Sequence, residues 1–190
     1  KMRAVRRDVL KMFTTFIEFT KDKQSAAQKY MPSLFTILKA YKEEPKQLRE
    51  PELILLFSKV LQVLGSVLGD YVPSILDCIF GGTLEMISTD FSSFPDHRVN
   101  FFVFLKKAVE QCFEALLNIP KDQLEIVINC MIWSIKHELT SIYEVGLESV
   151  LALIQVNSSH VESQFEPTVG QQLLQSLLLQ AVQRRSLRSD

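Results

Sequence analysis

Cysteine is scarce in this chain, and its few copies do not cluster. Cys78, Cys112 and Cys130 are three in number, 34 and 18 residues apart. That spacing builds neither a CxxC metal knuckle nor a dense disulfide framework, so they read as reduced, mostly buried thiols of an intracellular protein. Glycine is also thin. Gly65, Gly69, Gly81, Gly82, Gly146 and Gly170 follow no Walker or dinucleotide-binding pattern, which removes the phosphate cradle that nucleotide chemistry needs. Gly81-Gly82, within a helical pattern, marks a bend or a close helix approach. Charge of one sign is lacking too: 21 basic against 22 acidic residues give a net charge of −1, leaving no basic field to gather phosphates. No direct nucleic-acid partner is expected. The most apolar stretch, Leu53 to Leu68, is interrupted by Ser58, Lys59 and Gln62, and no cleavable signal opens the chain. Neither a transmembrane segment nor a membrane partner is expected.

Reaction chemistry is equally sparse. His97, His137 and His160 lie far apart, none three or four residues from another histidine or a cysteine, so no metal site is expected. There is no GxSxG elbow and no Cys-His nucleophile signature. No catalytic, metal or cofactor-binding residue can be named, no cofactor is implied, and the chain is not read as an enzyme. His97 is taken as a satisfied turn histidine, Cys112 as core, and Trp133 as a buried contact between repeats. Asn157-Ser158-Ser159 matches a glycosylation triplet and Arg184-Arg185-Ser186-Leu187 a basophilic kinase site; both are short patterns common by chance, and the second suits a polar helix end.

What is present is helix. Hydrophobic residues make up 47% and charged residues 23%, the balance of a chain that folds. Apolar residues at steps of three and four predict helices over about Met2–Thr20, a second ending near Glu43, then Pro51–Leu68, Tyr71–Thr89, Asp96–Asn118, Lys121–Glu138, Thr140–Val156 and Pro167–Arg185. No strand is convincing. In the first helix Met2, Val5, Val9, Met12, Phe13 and Phe16 form the expected packed face, with Arg3, Arg7 and Lys11 as its solvated side. A basic amphipathic terminus could also suggest a transit peptide or a membrane-surface helix, but solvation is the simpler reading. The chain opens at Lys1 inside this pattern, without methionine or cap, and is expected to be a segment of something longer. Glu44 to Glu50 is a charged connection and Pro51 opens the next helix. Gly69-Asp70 suits a hairpin turn with a left-handed glycine, Asp96 a helix cap, and Asp122 the positive end of its helix.

The pattern also repeats. Tyr-x-Pro-Ser precedes an apolar row at Tyr30 and again at Tyr71, and Pro32, Pro73, Pro120 and Pro167 are separated by 41, 47 and 47 residues. That is the period of HEAT and armadillo arrays, roughly 40 to 47 residues per unit. The expected fold is therefore all-α, a right-handed superhelical HEAT/armadillo-like array of about four antiparallel helix pairs. The approximate repeats are 1–44, 51–90, 96–138 and 140–185 within one solenoid segment. The stretch after Asp96 carries two apolar rows, Phe101, Leu105, Ala108 and Cys112 beside Phe102, Val109, Phe113 and Leu116. A helix with two buried sides contacts both its own partner and the neighbouring repeats.

Four blocks carry a more specific likeness: "REPE" at 49–52, "TLEMISTDFSSFPDHRVNFFVFLK" at 83–106, "IVINCMIWSIKHEL" at 126–139 and "GLESVLALIQ" at 146–155. In order and spacing they resemble the C-terminal third of the major nuclear exportin of the CRM type, in the importin-beta superfamily, over about Met2 to Gln155; the likeness fades after Val156. The resemblance implies a receptor that binds Ran-GTP and cargo with a leucine-rich export signal, contacts nucleoporins, and shuttles between nucleus and cytoplasm. The family's cargo groove and reactive cysteine lie in a more N-terminal region, so none of the three cysteines here takes that role, and no Ran-contacting residue can be assigned. The competing expectation is a HEAT scaffold of another pathway, without Ran dependence. The turn Phe94-Pro95-Asp96-His97-Arg98 is expected to separate the two, as an exposed sequence that packing would not dictate.

Overall fold

A computed structural model describes residues 2–89 and 93–159. The described residues form eight α-helices and no strand: α1 (Met2–Glu18), α2 (Lys23–Glu43), α3 (Pro51–Leu64), α4 (Val72–Thr89), α5 (Pro95–Gln111), α6 (Phe113–Leu117), α7 (Lys121–Ile135) and α8 (Thr140–Ser159). The expected all-α helical array is what the chain builds. It divides into two compact units, Lys1–Ile119 and Pro120–Asp190. The last expected helix, Pro167–Arg185, together with His160, Gly170 and the Arg184–Leu187 motif, lies outside the described residues.

In the first unit α3 lies between α1 and α5, while α2 packs on α4 and α3, and α4 on α5 and α6. α3 is the centre of this unit because almost all of its apolar residues are fully buried, from Leu53 and Ile54 to Leu61 and Leu64. Its start follows from Pro51 in the first helical position, where a missing N–H costs least. Its end comes earlier than Leu68: two 3₁₀ turns, Gly65–Val67 and Gly69–Tyr71, lead directly into α4. No glycine here has a positive φ, so Gly69 does not make the expected left-handed turn. Gly65 has a packing reason instead, because a Cβ there would stand 2.8 Å from Gln111 Cβ and 2.9 Å from Gln111 O.

The same contact coincides with the break in the helix expected to run unbroken from Asp96 to Asn118. At Cys112 the backbone leaves helical geometry (φ −131°, ψ 27°), and α6 resumes at Phe113. Both expected apolar rows are nonetheless buried, from Phe101 and Phe102 to Leu116. The cap of α5 also differs: Phe94, in the left-handed region (φ 58°, ψ 45°), precedes Pro95, and Asp96 belongs to the first turn. Pro32, expected near a helix start, lies inside α2, whose cap is Asp22 accepting from Ser25 N at 3.1 Å. Its ring is on the exposed side, where solvent can reach the carbonyl that it leaves without an N–H partner.

The largest correction concerns α1. Most of the face expected to be packed is outward: Met2 is 81% exposed and Met12 61%, with Val5, Val9 and Phe16 also exposed and Phe13 half-buried. Leu10 and Ile17 are the buried residues; Arg3 and Arg7 are exposed as expected, though each reaches the buried Glu50, Arg3 Nε at 2.8 Å and Arg7 Nε at 3.9 Å. Burial follows the side on which α3 lies, and that side carries fewer apolar residues than the other. In the second unit α7 packs on α8. α7 stops at Ile135, three residues short of expectation, and His137 Nδ1 accepts from Leu139 N at 3.0 Å in the connection. A Cβ on Gly146 of α8 would overlap Ser134 of α7, so the glycine permits a close helix crossing.

Candidate functional site

The richest polar geometry in the described residues is built on Arg49, Glu50 and Pro51, the extended link into α3. Arg49 and Glu50 have β-region backbones, so their side chains leave on opposite sides. The Arg49 guanidinium donates through Nε to Tyr41 O at 3.0 Å, through Nη2 to Lys42 O at 2.9 Å, and through Nη1 to Gly82 O. Tyr41 O and Lys42 O belong to the last turn of α2, whose carbonyls have no intrahelical partner, so Arg49 satisfies them and ties that helix end to the middle of α4. The Tyr41 hydroxyl is 2.8 Å from Thr83 Oγ1, and burial pushes its pKa up to about 12 against the opposing effects of Thr83 and Arg49. A Cβ on Gly82 would lie 2.7 Å from Tyr41 Cε1. The expected close approach at Gly81-Gly82 is thus real, with Gly82 under the tyrosine ring and Gly81 beside Lys42.

On the other side Glu50, 3% exposed, receives Arg3 Nε at 2.8 Å and has Arg7 Nε at 3.9 Å. Main-chain carbonyls of the same link hold α5: His97 Nε2 donates to Arg49 O at 3.1 Å and Asn100 Nδ2 to Pro51 O at 2.9 Å. Burial holds the His97 pKa below its ordinary value, partly offset by that bond and by the Asp96 and Glu52 carboxylates. Three consecutive residues therefore join α1, α2, α4 and α5. Next to them Arg98, fully buried, donates from Nη2 to Ile87 O at 3.0 Å in the last turn of α4 and to Ser93 O at 3.3 Å.

This corrects the reading of the turn at Phe94–Arg98. Pro95 and Asp96 are exposed, but His97 and Arg98 are core residues that fix the α4–α5 connection, so packing does dictate much of that sequence. Positive φ at Phe94 costs about 1 kcal/mol or more, and the Arg98 bonds on either side hold it in place. Around the hub, solvated pairs Arg6–Glu44, Lys42–Asp77, Lys46–Glu85 and Lys59–Glu18 bridge neighbouring helices. Such solvated pairs add little to stability, because water screens them and ordering the side chains costs entropy.

Other positions singled out in the sequence fall elsewhere. Cys78, Cys112 and Cys130 are buried free thiols, the last two pushed up to about 12 by burial. Trp133 is half-buried rather than buried, its ring 4.9 Å from His137. Asn157 lies in the last turn of α8. Among the described residues no group of three histidines, cysteines or carboxylates could hold a metal, and no helix is long and apolar enough to cross a membrane. The hub itself escaped sequence reading, which took 44–50 as a solvated link. A signal was there: an Arg-Glu pair directly before a helix-opening proline, with Arg3, Arg6 and Arg7 three and four residues apart on the first amphipathic helix.

A family model described as CRM1 C terminal matches residues 1–183. The chain belongs to that family. The match runs beyond Gln155, where the sequence likeness had faded, and reaches well into the tail. The chain is 37% identical to Exportin-1 of Schizosaccharomyces pombe over 181 residues, 93% of this chain and 17% of that protein. It is 32% identical to Exportin-1 of Dictyostelium discoideum over 180 residues, again 93% of this chain and 17% of the relative. Exportin-1 of Drosophila melanogaster is 29% identical over 161 residues. The chain therefore spans about one-sixth of the length of these relatives.

Proposed function

We propose that the segment is the C-terminal repeat region of a nuclear export receptor that binds Ran-GTP and leucine-rich export-signal cargo cooperatively. The receptor carries cargo from nucleus to cytoplasm through the pores, meeting nucleoporins on the way, without a cofactor and without catalysis. The observation that carries this reading is the family match over nearly the whole segment together with identity to Exportin-1. In such a receptor Ran-GTP and cargo favour the same conformation of a helical array, so each raises the other's affinity by an equal factor. The hub at Arg49–Pro51 suits a mechanical part in this coupling, because it makes four helices move together. On the same reading the approximate repeats are 1–44, 51–90, 96–138 and 140–185.

A scaffold of another pathway would use the same packing, and the buried His97 and Arg98 serve either protein equally well. The family match, not the turn, favours the export receptor. The test is equilibrium binding of a fluorescent leucine-rich export peptide to the full parent chain, with Ran-GTP, with Ran-GDP and alone. Enhancement by Ran-GTP only is expected. Peptide binding that ignores Ran, or none by a folded parent, would return the segment to a scaffold.

A further inference from the structure

We draw no further inference here: the strongest candidate, the exposed apolar patch of Leu151 and Ile154 on α8 in the second unit, carries nothing because nothing in the structure shows what covers it.

Discussion

α1 and α5 have the same length, 17 residues each, are apolar on more than one side, and both pack on α3. They end in opposite conditions. α5 has α3 on one side and α4 and α6 on the other, and its phenylalanines disappear into the core; α1 has α3 on one side and meets α2 through the Phe16–Tyr30 ring contact at 5.1 Å, while most of its wider apolar face is exposed. The difference teaches that apolar periodicity reports the faces a helix could bury. Which of them is buried depends on the neighbours present. It also explains why α1 needs Glu50: with only Leu10 and Ile17 fully buried, charged contacts from Arg3 and Arg7 carry part of its attachment.

The comparison breaks most readily under truncation. Phe101→Ala, which empties a fully buried site, is expected to lower unfolding stability by about 3–5 kcal/mol, while Met12→Ala should change it by less than about 0.5 kcal/mol. Urea unfolding monitored by circular dichroism, at a concentration where the chain is monomeric, measures both. Equal losses would mean that α1 is covered as fully as α5.

Next in size is the removal of a buried guanidinium. Arg98→Met leaves Ile87 O and Ser93 O without that donor and relaxes the constraint on Phe94, for an expected loss of about 2–3 kcal/mol. Arg49→Met should cost a similar amount, by releasing the end of α2 from α4. Hydrogen exchange separates the two: Arg98→Met should speed exchange mainly in the last turn of α4 and the first of α5, and Arg49→Met in the last turn of α2. Gly82→Ala should follow at about 1–3 kcal/mol, because its Cβ would meet the Tyr41 ring, which Thr83 holds by its hydroxyl. Adding Tyr41→Phe, which releases the ring from Thr83, should recover a small part of the loss, and Tyr41→Leu, which removes the ring, a larger part; thermal melting of the series is the check.

How much of this was legible follows from the range of each interaction. Pro51, the two apolar rows of α5 and the close approach at Gly82 rest on local chemistry, and sequence spacing reports such chemistry well. Pro32 and Phe94 show the limit. Phe94 sits at the cap although Asp96 has the better capping propensity, because the Arg98 bonds to Ile87 O and Ser93 O fix the connection, and an exposed proline was tolerated inside α2. The break at Cys112 coincides with the end of α3 crossing at Gly65, a contact between residues about fifty positions apart, which no local window contains. The hub was hidden for the same reason. Arg49 and Glu50 look like solvated charges until folding brings Arg3, Tyr41, Gly82 and His97 to them from four different helices.

The smallest expected effect tests whether the hub reports acidity. His97 is buried and has its pKa held down by that burial, while the unfolded chain titrates near the ordinary value of about 6.5. Between the folded and unfolded pKa values the unfolded state binds more protons, so stability rises with pH in that window. The contribution of His97 is complete above about pH 6.5 and is lost as pH falls towards the folded value. Glu85, whose pKa is lowered by Lys46, acts in the same direction but below the ordinary carboxylate range, so the two effects are separable. Asp96, Glu52 and Arg3 also bear on the imidazole, and the carboxylates oppose the effect of burial while the arginine adds to it. His97→Gln, which keeps a side-chain N–H for Arg49 O, should flatten urea midpoints between pH 6.5 and 5 while preserving the loss at lower pH. An unchanged slope in that variant would place the titrating group outside the hub, and α5 would then owe its position to Asn100, Arg98 and the apolar rows alone.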